Sequence, residues 1–172
     1  MTIFTIGHST RPIEEFIRLL QAHGIQRLVD VRTVPKSRHN PQFGQEQLSA
    51  SLERDGIHYT HMRGLGGLRH ARPDSTNTAW RNASFRGYAD YMQTPEFEKS
   101  LAQLITFAEG ERVAIMCAEA VPWRCHRSLI ADALIARDIE PREITSLTTA
   151  RAHKLTPFAR IDGTNVTYPG VI

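Results

Sequence analysis

The sequence predicts an α/β protein, a single three-layer domain of 172 residues with a mainly parallel, Rossmann-like sheet. Three observations carry this reading. Short apolar runs alternate with stretches of helical periodicity, the signature of βαβ units. Glycine or proline marks most of the junctions, where the chain must change direction. The hydrophobic fraction of 41% is enough to bury one core in a chain of this length.

Taken in order, Ile3 to Ile6 reads as a buried strand ending at Gly7-His8-Ser9-Thr10. Pro12 suits a first helical turn, Ile13, Phe16, Ile17 and Leu20 share one face, and Gly24 suits the C-terminal cap. Leu28 to Val31 is the second strand. A loop runs to Gly44, a helix from Gln45 to Asp55 turns Leu48 and Leu52 inward, and Ile57 to His61 forms the third strand. Met62 to Ser84 has three glycines and Pro73 but no apolar period. A loop of that length is expected to be functional, here a mobile lid over a ligand.

Phe85, Tyr88, Tyr91 and Met92 then fall at helical spacing, and Pro95 opens a helix that Gly110 ends. Val113 to Met116 is the most apolar strand. After a loop from Cys117 to Arg124, a helix reaches Arg137. Glu143 to Thr145 is expected as a last edge strand. Residues 146–172 form a tail with a small hairpin around Asp162-Gly163.

Composition narrows the function classes. No apolar run is long enough to span a membrane, and the first residues read as a strand rather than a signal peptide. A cytoplasmic protein is expected, with Cys117 and Cys125 as free thiols rather than a disulfide. Net charge is +3, yet residues 32–86 carry nine Lys or Arg against four Asp or Glu, so the rest of the chain is near −2. That excess favours an anionic partner, such as a nucleotide or nucleic acid. No cofactor motif is present. Cys117, Cys125 and His126 lack a fourth ligand at zinc spacing, so no metal is expected.

Ligands of parallel sheets bind outside the carboxyl ends of the strands, so the strand-end residues are the candidates. His8 can transfer a proton near neutral pH, while Ser9 can bind substrate or cap the next helix. Asp30 and Arg32 are either a structural ion pair or a base beside an anion-binding guanidinium, with Arg38 further along the loop. The densest cluster lies between the fourth strand and its helix. It offers Cys117 as a nucleophile, Glu119 as an acid or base, and Arg124, His126 and Arg127 around a helix start that attracts anions. Arg124 stands seven positions after Cys117, which excludes a cysteine-phosphatase loop, and seven intervening residues weaken a dithiol reading of Cys117 and Cys125. Tyr88 is either core or a stacking platform.

In order, Thr5 to Ser9, Asp30-Val31-Arg32, Pro35 to Arg38, Leu65-Gly66-Gly67, Phe85 to Met92, Cys117-Ala118-Glu119 and Cys125-His126-Arg127 resemble the family catalogued as domain of unknown function 488. The likeness runs to about Ile144. It implies a compact α/β fold and carries no activity.

The residues themselves point to an enzyme acting on a phosphate-bearing substrate, a nucleotide or a nucleobase in nucleic acid. Hydrolytic or group-transfer chemistry is expected. The alternatives are a thiol enzyme using Cys117 and a non-catalytic nucleotide or nucleic-acid binding module.

Overall fold

The computed structural model describes residues 1–170. Its centre is a six-stranded sheet. The first five strands are β1 (Thr2–Gly7), β2 (Arg27–Asp30), β3 (His58–His61), β4 (Val113–Cys117) and β5 (Glu140–Ile144); β6 (Ala150–Ala152) is the sixth. They lie in the order β3-β2-β4-β1-β5-β6, all parallel except β6. Five helices cover the two faces: α1 (Ile13–Ala22), α2 (Gln45–Arg54), α3 (Ala83–Tyr91), α4 (Pro95–Gly110) and α5 (Arg127–Ile135). The tail adds the hairpin of β7 (Arg160–Asp162) and β8 (Asn165–Thr167), around the expected Asp162-Gly163 turn.

Strand alternation sorts the core into two layers. Phe4, Ile6, Leu28, Ala114 and Met116 pack under α1 and α2 with Phe16, Leu20, Leu48 and Leu52. Ile3, Val29, Val113, Ile115 and Cys117 face α3, α4 and α5 with Tyr88, Phe97, Leu101 and Leu129. Each fully buried side chain of this size contributes about 1.5–3 kcal/mol of burial energy. Local chemistry sets the helix ends. Thr94 caps α4 by accepting the Phe97 N–H, with Pro95 just inside. Asn82 accepts from Ser84 and Phe85 at the start of α3. The capping role open to Ser9 at α1 is not taken: Pro12 occupies the cap position, with no side-chain bond.

One expectation needs correction. The strand at Glu143 is not an edge, because Thr145 to Thr149 turns back and β6 pairs antiparallel along it. The segment from Met62 to Ser84, expected as a mobile lid, is tied to α3 at its middle. Asp90 of α3 accepts from the Arg72 backbone, the Ser75 hydroxyl and the Asn77 amide, and Asn77 in turn accepts the Tyr168 N–H.

Connections set where a ligand can enter. The chain leaves β1 toward β2 on one side and leaves β4 toward β5 on the other. The crevice between β1 and β4 is therefore the topological switch point of the sheet. There Gly7 is required: a side chain would overlap the Glu119 carbonyl of the β4 loop.

Candidate functional site

Strands β2 and β1 flank β4, and their register brings Asp30 and Ile6 level with Met116. His8 and Arg32, two residues further along each, therefore flank the β4 loop from opposite sides. Both belong to the α1–α2 layer. His8 stacks on Phe43 with ring centroids 4.2 Å apart, and Phe43 packs edge-on against Phe16 of α1. Arg32 reaches back to Asp30 through Nε at 2.9 Å and Nη2 at 2.7 Å, and Tyr59 of β3 donates to the same carboxylate. Burial and the Asp30 charge hold the Tyr59 proton far above its ordinary range.

This niche differs from an ordinary buried ion pair in one respect. His8 Nε2 and Arg32 Nη1 are both buried and have no partner within the protein. An unpaired buried polar atom costs about 1–3 kcal/mol. The two atoms are chemically complementary. His8 Nδ1 lies 2.7 Å from the Ser9 carbonyl, which can only accept, so Nδ1 carries the proton and Nε2 presents a lone pair. Burial pushes the His8 pKa down to about 4, with Arg32 lowering it and Asp30 raising it. Near neutral pH the imidazole is therefore an uncharged base next to a guanidinium. Ser9 holds this tautomer from a left-handed backbone, φ 51°, a conformation that costs a non-glycine residue about 1–2 kcal/mol.

The cluster around β4 and α5 is arranged differently. Arg127 is almost fully buried, and all five of its N–H donors are engaged. Nε and Nη2 pair with the Glu143 carboxylate at 3.1 and 3.0 Å, Nη1 donates to Cys117 Sγ at 2.8 Å and to the Glu119 carbonyl, and Nη2 also donates to the Ala120 carbonyl. No donor remains for an outside anion, so the expected anion-binding role of Arg127 is replaced by a structural one. It ties the β4 loop to β5. Thr5 of β1 donates to the same Glu143 carboxylate.

The remaining sequence candidates separate as follows. Cys117 and Cys125 were expected to be independent free thiols. Instead their sulfurs are in contact and paired, because the loop folds back over the end of β4; their Cα atoms are 7.3 Å apart. His126 donates from Nε2 to the Val31 carbonyl at 2.8 Å, and burial lowers its pKa to about 4. A side chain at Gly67 would meet its ring, so His126 serves as packing between two loops. Tyr88 is buried in the α3–α4 layer and donates to the Leu65 carbonyl, which makes it core rather than a stacking platform. Arg38, Glu119 and Arg124 are exposed. Glu119 accepts from the Val121 backbone in its own loop, away from Asp30. Of the sequence candidates, Asp30 and Arg32 are thus in direct contact, His8 lies close enough for both charges to act on it, and the Ser9 carbonyl holds its ring.

A second feature lay outside the sequence reading. An open cleft of about 830 Å³ lies past the ends of β1 and β5, within the size range of ligand pockets. Arg11, Arg151 and Lys154 supply its charge, and Trp80, Trp123 and Phe158 its aromatic surface. His153 lines it too, with Nε2 2.8 Å from the buried Asp132 carboxylate, which also accepts from Thr156 N and Tyr168 Oη. Asp132 therefore anchors the tail to α5. No periodicity announces such contacts; an Asp inside an apolar helix was the available signal.

The family model for the domain of unknown function DUF488 matches residues 12–134. The chain belongs to the DUF488 family. The match takes in Asp30, Arg32 and the β4–α5 loop. It begins after His8 and ends before β5, so the DUF488 region excludes one half of the niche and most of the cleft. No curated protein and no solved structure matches the chain.

Proposed function

We propose that this DUF488 protein is an enzyme acting on a phosphate-bearing substrate, a nucleotide or a nucleobase in nucleic acid, by hydrolysis or group transfer. One observation carries the reading: a buried lone pair on His8 Nε2 and a buried cationic donor on Arg32 Nη1, both unpaired, beside the switch point of the sheet. In this reading a hydroxyl or water bridges the couple, accepting from Nη1 and donating to Nε2. His8 takes its proton while the oxygen attacks the electrophilic centre, a phosphorus or a glycosidic carbon. The bond to the leaving atom breaks, and the imidazolium returns the proton to that atom. Asp30 fixes the guanidinium, and Ser9 and Phe43 fix the ring.

Product analysis of nucleoside mono-, di- and triphosphates and a short single-stranded oligonucleotide, with wild type and His8→Gln, tests this reading. Turnover that falls about 10²- to 10⁴-fold in His8→Gln is the expected result. Full activity in that variant overturns the assignment.

A thiol reading requires the Cys117–Cys125 pair to be reduced, and it keeps one specific support, the Arg127 donor on Cys117 Sγ at 2.8 Å, since a guanidinium favours thiolate. It is the better reading if Cys117→Ser abolishes turnover while His8→Gln does not.

A further inference from the structure

The cleft beside the niche has its own chemistry. Trp123 is 71% exposed and Phe158 39% exposed, both on its walls. Large aromatic surface left in water is costly unless something covers it. Trp80, in the same lining, has an indole N–H without a partner in the protein. Against this surface stand Arg11, Arg151 and Lys154. The one carboxylate in the lining, Glu143, is already neutralised by Arg127. The cleft is therefore cationic and aromatic together.

We propose that this cleft binds one nucleotide, its base against the aromatic side chains and its phosphate on Arg11, Arg151 and Lys154. The size fits a single nucleotide rather than a strand, and the position outside the β1 and β5 carboxyl ends is where parallel sheets place such ligands. Arg11 links the two features: it lines the cleft and lies near enough to His8 to lower its proton affinity. About half of the lining comes from residues 145–158, beyond the family-matched region. Ligand choice thus draws on this chain's C-terminal segment together with Arg11, Trp80 and Trp123. His153, bonded to Asp132, anchors that segment to α5.

The inference deepens the enzyme reading but is tested separately, by binding. Calorimetric titration of the whole protein with AMP, GMP, CMP and UMP, and with inorganic phosphate and adenosine alone, provides the probes. Saturable binding of at least one mononucleotide is expected, with phosphate and nucleoside each weaker. Trp123→Ala should weaken it about tenfold, the scale of one base–aromatic stack, and Arg151→Ala with Lys154→Ala should weaken it and reduce its salt dependence to the share that Arg11 carries. Both variants change exposed residues, so circular dichroism should show an unaltered fold. His8→Gln should bind as wild type does. No mononucleotide binding, or binding indifferent to Trp123 and to Arg151 with Lys154, overturns the inference even if turnover of some phosphate compound depends on His8. Tight oligonucleotide binding without mononucleotide binding overturns the single-nucleotide assignment in favour of a strand.

Discussion

Arg32 and Arg127 invite comparison, because each is a buried arginine paired with a carboxylate at the carboxyl edge of one sheet. Arg127 uses every donor on its own chain. Arg32 uses Nε and Nη2 on Asp30 and leaves Nη1 unpaired, near a histidine whose Nε2 is also unpaired. Burial does not distinguish the two guanidiniums, since both are buried. The inventory of donors does. A closed network holds loops together, whereas an open one retains a capacity that only an incoming group can satisfy.

The sharpest way to break this comparison is Arg127→Ala. It leaves the partly buried Glu143 without its cation and frees the Glu119 and Ala120 carbonyls, so unfolding in urea should show a loss of about 3 kcal/mol. Arg127→Lys should recover only part, because an ammonium cannot reproduce the fork. An unchanged urea midpoint for Arg127→Ala would place Arg127 outside the structural network.

Next comes acidification. His8 and His126 both have folded pKa values of about 4, lowered from 6.5 chiefly by burial. A depressed histidine pKa means that the unfolded chain binds the proton more readily. Stability is therefore complete above pH 6.5 and falls as pH drops from 6.5 toward 4. The full loss is on the order of 3 kcal/mol for each histidine. Urea titrations at stepped pH should show the decline, and His8→Gln or His126→Gln should each remove about one proton from its slope. The same shift sharpens the enzymatic half of the comparison. If His8 is the base, the acid limb of kcat/KM lies near pH 4; a limb near 6.5 assigns the base elsewhere.

The smallest expected effect is at Ser9. Ser9→Gly relieves a left-handed φ at a cost in chain entropy, so stability should change by about 1 kcal/mol or less. Turnover should nonetheless fall, because the carbonyl that fixes the His8 tautomer loses its rigid support. Equal turnover in Ser9→Gly and wild type would show that the strain has no part in positioning the ring.

Much of the fold was legible in the residues. Strands β1, β2 and β4 are buried on both faces, and the helix starts at Pro95 and Gln45 and the stop at Gly24 follow from local backbone chemistry that neighbours need not supply. The strand-end rule also brought out His8, Asp30 and Arg32. Which arginine would be open was not legible, because no local pattern around Arg32 or Arg127 reports how many of its donors find partners. Glu143 meets Arg127 only through the β1–β5 pairing, and Thr145 to Thr149 hides that strand's neighbour in an unpatterned turn.

The sequence by itself determined the alternation of strands and helices, several helix ends, and the position of His8, Asp30 and Arg32 at the ends of strands. These depend on periodicity and on φ preferences, which act within a few residues. Only the tertiary structure decided which polar groups find partners, that Cys117 and Cys125 face each other, and that Arg151, His153 and Lys154 of the tail return to line the cleft. The reason is that hydrogen-bond saturation and burial are set by neighbours distant in the chain, such as Asp132 with His153 and Arg127 with Glu143. No local pattern encodes those pairings.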